Sequence, residues 1–369
     1  MSRHEVFMKR AIQLAKGGWG KTNPNPLVGA VIVRDGEIIA EGYHQALGGP
    51  HAEVEAINNS KQDVKGSTIY VNLEPCSHYG KTPPCALKLI EAGIKKVVIA
   101  MQDPNPLVSG KGIKMLRDAG IEVIEGILEK EARVLNEIFI KYISQNMPFV
   151  IMKTAMTLDG KIASVSGDSK WISSESSRQQ VHVIRDRVSA IMVGINTVLV
   201  DNPALTTRLN NGRGRDPIRI IVDSKGRIPI DSQVINVDSS SGVILATTSL
   251  IDNEKEKQLK DRGVQILKLD NPSCKGYVDL NKLMHELYKL EIDSVLLEGG
   301  GNLNAAALNC GIVDKVMFFI APKIIGGIDA KTPIEGEGIR LMKDAISLKN
   351  LNIQRFDEDI LIEGYVKGE

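Results

Sequence analysis

The chain has 369 residues, 43% apolar and 25% charged, a composition that excludes disorder and, at roughly 150 residues per domain, asks for two cores. Its 46 basic and 45 acidic residues leave a formal charge of +1, and with 4% aromatic residues this disfavours a polyanionic partner and a base-stacking surface. Four cysteines make no disulfide framework and suit the cytoplasm, and no apolar run approaches the ~20 residues of a membrane span.

In chain order, residues 1–16 place Phe7, Ala11 and Leu14 as a helical stripe among Arg3, Glu5, Lys9 and Arg10, unlike the unbroken apolar core of a signal peptide. Segments 28–33 and 38–43 predict a hairpin across Asp35-Gly36. Helix 51–59, strand 68–73, helix 85–92 closed by Gly93, strand 96–101, helix 111–119 and strand 121–125 then alternate, an α/β sheet covered by helices. A long helix over 128–145 ends at Asn146-Met147-Pro148, which sets the expected boundary between domains 1–147 and 148–369. The second domain continues through strands 149–155, 190–193, 218–222, 243–247, 294–297 and 315–321, with helices such as 174–187 between them. A terminal hairpin pairs 352–356 with 360–366 around Asp357-Glu358-Asp359.

The chemistry of the first domain is carried by His51-Ala52-Glu53, Pro75-Cys76 and Cys85. One imidazole and two thiolates suit a zinc ion with an open fourth position, where a water becomes acidic enough to ionise near a pH of about 7. Glu53 is then the spare carboxylate, a general acid/base that does not ligate the metal. Residues two apart do not share a helix face, so His51 and Glu53 converge only at a helix start, and the breaker Gly48-Gly49-Pro50 precedes one. Deaminase signatures read Pro-Cys-x-x-Cys, whereas here eight residues separate the cysteines. A loop folding back to put Cys85 at the next helix start, behind Pro83-Pro84, accommodates that spacing. The bland alternative is two buried cysteines and a surface histidine, arranged in this order by chance. Two rival classes are an editing deaminase with an accessory domain and a module that keeps zinc only for folding. A structural site normally closes with four protein ligands, which a three-ligand set beside Glu53 does not.

In the second domain, Leu297-Glu298-Gly299-Gly300-Gly301-Asn302 runs from a strand through glycines into a helix. Such a turn lets a phosphate approach backbone N–H groups, and a tight packing turn explains it equally. It lacks Gly-x-Gly-x-x-Gly, so no Rossmann assignment follows.

Taken together the chain resembles the bifunctional deaminase-reductases of riboflavin biosynthesis. The runs that carry the resemblance are Asn25-Pro26-Leu27-Val28-Gly29-Ala30, His51-Ala52-Glu53, the stretch from Glu74-Pro75-Cys76 to Pro84-Cys85, Asp103-Pro104-Asn105-Pro106, Leu158-Asp159-Gly160-Lys161, Gly167-Asp168-Ser169-Lys170-Trp171, Asp201-Asn202-Pro203-Ala204-Leu205-Thr206, Glu298-Gly299-Gly300 and Ala321-Pro322-Lys323. They span both domains, and the long loop between the cysteines is part of the family's pattern.

The resemblance implies an N-terminal cytidine-deaminase-like zinc domain and a C-terminal domain similar to dihydrofolate reductase that holds NADPH. Its cofactor contacts carry over to Ala155, Trp171, Thr197, Asp201, Ser224 and the run Gly300, Gly301, Asn302, Leu303, Asn304, Ala305 and Ala306. Its substrate contacts carry over to Ser169, Arg185, Leu205, Arg208 and Glu298, and in the deaminase half to Asn25, His44 and Lys81. Arginine forks match a phosphate bidentately, which favours Arg185 and Arg208; Arg178 and Arg187 read as solvated surface charges. Lys153 and Asp201 are the candidates for polarising or protonating the reduced group, with a structural pair as the competing explanation. Asn25 can equally hold a turn and His44 can be a satisfied polar group. The implied substrate is a pyrimidine ribosylamine phosphate, deaminated and then reduced at its ribosyl carbon. A homo-oligomer without nucleic-acid or membrane partners is expected.

Overall fold

The computed structural model describes residues 2–79, 83–105, 108–210, 212 and 214–367. It divides into two compact units, Met1–Asn146 and Met147–Glu369.

The first unit runs α1 (Arg3–Ala15), β1 (Gly29–Arg34), β2 (Glu37–Tyr43), α2 (Ala52–Asn58), β3 (Thr68–Leu73), α3 (Cys85–Glu91), β4 (Lys96–Met101), α4 (Lys111–Asp118), β5 (Glu122–Ile124), α5 (Glu129–Leu135) and α6 (Glu137–Gln145). Ser2 starts α1 with a capping box closed by Glu5. The hairpin turns on Asp35 and Gly36, both at positive φ, as a two-residue turn between twisted strands requires. The sheet order is β2-β1-β3-β4-β5, with β1 antiparallel to both neighbours and β3, β4 and β5 parallel. Ile69 and Val71 on β3 and Val97, Val98 and Ile99 on β4 are fully buried, a run without alternation because helices cover both faces. α1 lies directly on β1: a Cβ at Gly29 would come within 2.1 Å of the Ala11 carbonyl oxygen.

The single helix expected over 128–145 is two helices, broken at Asn136. That side chain is buried and faces the backbone of Leu27, accepting its N–H at 2.8 Å and donating to its carbonyl at 3.0 Å. A tertiary hydrogen-bonding demand overrides a continuous helical pattern there.

The second unit runs β6 (Phe149–Thr157), α7 (Glu175–Arg187), β7 (Ala190–Gly194), α8 (Ile195–Asp201), β8 (Ile218–Val222), α9 (Gln233–Asn236), β9 (Val243–Thr247), α10 (Asn253–Asp261), β10 (Val264–Lys268), α11 (Leu280–Lys289), β11 (Ser294–Leu297), α12 (Gly301–Asn309), β12 (Lys315–Ala321), β13 (Leu348–Phe356) and β14 (Asp359–Val366). The sheet order is β10-β9-β8-β7-β11-β6-β12-β14-β13, parallel from β10 to β12 and antiparallel across the last three strands. Sequence reading missed β10, a half-buried edge strand that interrupts its apolar residues with Gln265. It also began β13 four residues late, because that edge strand is exposed nearly throughout and carries a register shift between Lys349 and Asn352. β11 lies between β6 and β7, so strands distant in sequence become neighbours, and their carboxyl ends form the crevice where α/β sheets bind ligands.

Candidate functional site

In the first unit, three element ends converge. His51 is the N-cap of α2, extended at φ −73° and ψ 160°, and Cys85 opens α3 behind Pro84. Cys76 follows β3, and its carbonyl and sulfur accept the Ala86 and Cys85 N–H groups, each at 3.2 Å. His51 Nδ1 lies 3.2 Å from Cys85 Sγ and 3.6 Å from Cys76 Sγ, and the three ligand atoms all fall within 4.8 Å of one another. Tetrahedral zinc, with bonds of about 2.05 Å to nitrogen and about 2.3 Å to sulfur, needs nitrogen–sulfur separations of about 3.6 Å. The donor set and its spacing therefore fit zinc.

Glu53, in the first turn of α2, is buried, and burial with the adjacent Cys76 thiolate pushes its carboxyl up to about 7. The Cys76 thiol is lowered to about 4, chiefly by its hydrogen bond with Cys85 and then by His51, while that same bond pushes Cys85 up. Asn25 and His44 lie alongside. His44 Nδ1 donates to the Pro50 carbonyl at 2.9 Å, its Nε2 meets Asn25 Nδ2 at 3.3 Å, and its ring stands edge-on to His51 with centroids 5.5 Å apart. Burial lowers the His44 pKa, which keeps the ring neutral. Lys81 lies outside the described residues.

Glu74 is a residue whose role sequence reading missed. Buried directly after β3, its carboxylate accepts the N–H groups of Asp103, Gly110, Gly112 and Ile113 at 2.9–3.2 Å. It thereby satisfies the start of α4 and fixes the corner from which Cys76 projects. A Cβ at Gly112 would sit 2.0 Å from the Pro75 carbonyl oxygen, so α4 begins hard against that corner. A charged residue directly after a largely apolar strand was the available signal.

In the second unit, Lys153 on β6, Arg185 on α7 and Glu298 beyond β11 form one network. Glu298 accepts from Lys153 Nζ at 3.1 Å and from Arg185 Nε at 2.8 Å. Burial pushes its carboxyl up, but the Arg185 and Lys153 charges outweigh that and hold it well below the usual range. The ion partner of Lys153 is thus Glu298 and not Asp201, which is exposed at the end of α8. Leu205 is buried at φ 55°, Arg208 is exposed, and Ser169 and Ala155 are half-buried. Thr197 sits in the first turn of α8, and the Ser224 hydroxyl accepts the Val278 N–H at 3.2 Å. Trp171 is 62% exposed with the Arg178 guanidinium 4.6 Å from its ring centroid. Arg178 and Arg187 are both half-buried and not the solvated charges expected.

The three glycines separate by what surrounds them. A Cβ at Gly299 would meet Asn304 Oδ1 at 2.8 Å, and one at Gly301 would meet the Thr332 carbonyl oxygen at 2.6 Å, so close packing requires both. A Cβ at Gly300, the N-cap of α12, would meet nothing within 4 Å. The helix start it opens exposes Asn302, and Ala306 lies exposed one turn on, while Leu303 is half-buried and Asn304 and Ala305 are buried. Asn304 Oδ1 has no hydrogen-bond partner among the described residues. An open N-cap that makes no side-chain cap hydrogen bond fits the pyrophosphate of a dinucleotide.

Comparison with known proteins extends this geometry. Residues 148–362 match the RibD C-terminal domain, and residues 1–101 match the cytidine and deoxycytidylate deaminase zinc-binding region. The riboflavin biosynthesis protein RibD of Actinobacillus pleuropneumoniae is 51% identical over 97% of this chain and 94% of its own length. Acinetobacter baumannii RibD superposes with a TM-score of 0.89 at 38% identity, covering 99% of both chains. A Thermotoga maritima structure described as a diaminohydroxyphosphoribosylaminopyrimidine deaminase/5-amino-6-(5-phosphoribosylamino)uracil reductase superposes at 0.86 with 42% identity, again over 99% of both. A His-Cys-Cys triad able to hold a metal beside a buried glutamate, an ion network in the parallel sheet of the second unit and whole-length similarity agree: this chain belongs to the RibD family of riboflavin biosynthesis proteins.

Proposed function

We propose that residues 1–147 deaminate a diaminopyrimidine ribosylamine phosphate and that residues 148–369 reduce the ribosyl group of the product. The chain is a bifunctional deaminase and reductase of riboflavin biosynthesis with zinc and NADPH as cofactors. The observation that carries the residue assignment is the approach of His51, Cys76 and Cys85 within 4.8 Å beside a fully enclosed carboxyl.

His51, Cys76 and Cys85 would hold zinc, which would supply a water ionising near a pH of about 7. Glu53, itself poised at about 7, passes the attacking water's proton to a ring nitrogen and then a second proton, taken from the hydroxyl on the attacked carbon, to the departing amine. Asn25 and the neutral His44 bind the pyrimidine edge, and Lys81 takes the phosphate. In the reductase half, NADPH when bound would supply the hydride for C1′ of the opened ribosyl group. Gly300 to Ala306 hold its pyrophosphate at the start of α12, with Ala155, Trp171, Thr197, Asp201 and Ser224 as further contacts. Lys153, held in place by Glu298, donates the proton. Arg185 has its Nε on Glu298 and its Nη1 on the Thr206 carbonyl, so it orients the site. Arg208, with an exposed side chain, is the better-placed fork for the phosphate, while Ser169 and Leu205 line the substrate. Cys85→Ser is expected to lose zinc together with ammonia release while NADPH oxidation continues. Full zinc and normal ammonia release in that variant would reject the ligand set.

We place the enzyme in the cytoplasm, where its four cysteines, none of them in a disulfide, stay reduced. Among the described residues, no helix is long and apolar enough to cross a membrane. A homo-oligomer is supported by the edge strand β13, which exposes Leu351 at 60% and Ile353 at 66%. Light scattering on the purified chain checks the assembly, and a monomer would reject it.

A further inference from the structure

α7 carries His182 and Arg185 three residues apart, hence on one face. Both reach the segment following α8 through its backbone. Arg185 Nη1 donates to the Thr206 carbonyl at 3.0 Å, and His182 Nδ1 accepts the Arg208 N–H at 3.2 Å. Between these bonds, the Thr207 N–H is taken by Asp216 Oδ1 at 2.7 Å. Consecutive residues are therefore tied down by their main chain, just after Leu205, which is held at φ 55° in a region unfavourable for a leucine. Such fixing leaves the Arg208 side chain exposed while its Cα cannot wander.

We propose that His182 is a positioning residue of the reductase, whose Nδ1 lone pair fixes the Arg208 backbone so that the guanidinium is aimed at the substrate phosphate. This rests on the assignment of Arg208 made above. Only an unprotonated Nδ1 accepts an N–H, so the ring is neutral with its proton on Nε2. The surroundings enforce that state. His182 is 8% exposed, and burial, with Arg185, Arg208 and Lys153 nearby, pushes its pKa down to about 4 against the opposing pull of Glu298. Protonation would present a donor to a donor and release the segment.

The test uses His182→Leu, His182→Asn and Arg208→Ala in the full chain. NADPH oxidation is followed with 5-amino-6-(5-phosphoribosylamino)uracil and with its dephosphorylated analogue. His182→Leu keeps volume but leaves the Arg208 N–H without its acceptor, and should raise KM for the phosphorylated substrate about tenfold. The KM for NADPH, kcat, ammonia release and the analogue's KM should stay at wild-type values. Asparagine offers Oδ1 in place of Nδ1 and should bring KM back to within about threefold of wild type. Long-range 1H–15N NMR of the wild type near neutral pH should show the neutral Nε2–H tautomer. A wild-type KM in His182→Leu, parallel rises on both substrates and NADPH, no rescue by asparagine, or an Nδ1–H tautomer would each overturn the proposal. If His182→Leu does not fold, the asparagine variant and the tautomer decide. An unchanged KM in Arg208→Ala would instead reject the phosphate assignment. A raised KM there beside a normal His182→Leu would reject the positioning role alone.

Discussion

Each unit holds a glutamate in its candidate site, and the two carboxyls are driven in opposite directions. Glu53 is enclosed beside the Cys76 thiolate, and burial acting with that negative charge pushes it up to about 7. Glu298 is enclosed between Arg185 and Lys153, whose charges more than reverse the effect of burial. Burial alone therefore does not set a carboxyl's state; the sign of its neighbours does. One glutamate is left able to gain and lose a proton near neutral pH, and the other is a permanent anion that holds two cations in place. The sites also differ in how far apart in sequence their parts lie. His51 and Cys85 are 34 positions apart with Cys76 between them, whereas Lys153 reaches Glu298 across 145 positions and Arg185 reaches it across 113.

Removing the two charges tests that contrast most directly. Glu53→Gln should lower ammonia release about 10²- to 10⁴-fold, the range of a general acid/base, with zinc retained by metal analysis and NADPH oxidation untouched. An active Glu53→Gln enzyme would mean that the raised carboxyl moves no proton. Glu298→Gln leaves two part-buried cations without their carboxylate, and at about 1.5–3 kcal/mol for a hydrogen bond to a charged group it should cut kcat/KM for NADPH oxidation roughly ten- to hundredfold. The same variant carries a pH signature. Because Glu298 is depressed in the fold, its contribution to stability is complete above the unfolded value of about 4.3 and is lost as pH falls from there toward the lower folded value. Wild-type Tm should therefore fall more steeply than that of Glu298→Gln below about pH 4.3, and parallel curves would contradict the ion network.

Two further effects sharpen the comparison. Arg208→Ala should weaken reduction of the phosphorylated substrate about ten- to hundredfold, the worth of a charge-assisted hydrogen bond of about 1.5–3 kcal/mol, and leave ammonia release intact. Equal losses on a dephosphorylated analogue would assign Arg208 to the fold or the cofactor. Asn136→Ala leaves the Leu27 N–H without its partner and should cost the first unit about 1–3 kcal/mol, seen as a lower Tm by calorimetry, with both activities near wild type at room temperature. An unchanged Tm would show that the break between α5 and α6 has another origin.

The convergence of His51, Cys76 and Cys85 and most strands are legible in the sequence because each depends on short-range pattern. His51-Ala52-Glu53 needs only a helix start, and Pro83-Pro84 before Cys85 announces another. Strands 218–222, 243–247, 294–297 and 315–321 are compact apolar runs bounded by turns, and their observed limits coincide with Ile218–Val222, Val243–Thr247, Ser294–Leu297 and Lys315–Ala321. The role of Asn136 is not legible, because its surroundings look helical on both sides and its partner, Leu27, is 109 positions away. Glu74 looks like part of a motif, although its four hydrogen bonds tie a strand end to the start of a helix.

By itself the sequence determined which residues could bind a soft metal, where protons could be carried and how the chain alternates between strand and helix, since side-chain chemistry and hydrophobic period are local properties. Tertiary structure decided who stands next to whom. Placing β11 between β6 and β7 pairs Lys153 with Glu298, and packing α7 against the segment after α8 gives His182 the Arg208 N–H. Partners across a sheet or between helices follow strand order and packing, which no local pattern encodes, and the burial and neighbouring charges that packing creates shift Glu298 and His182.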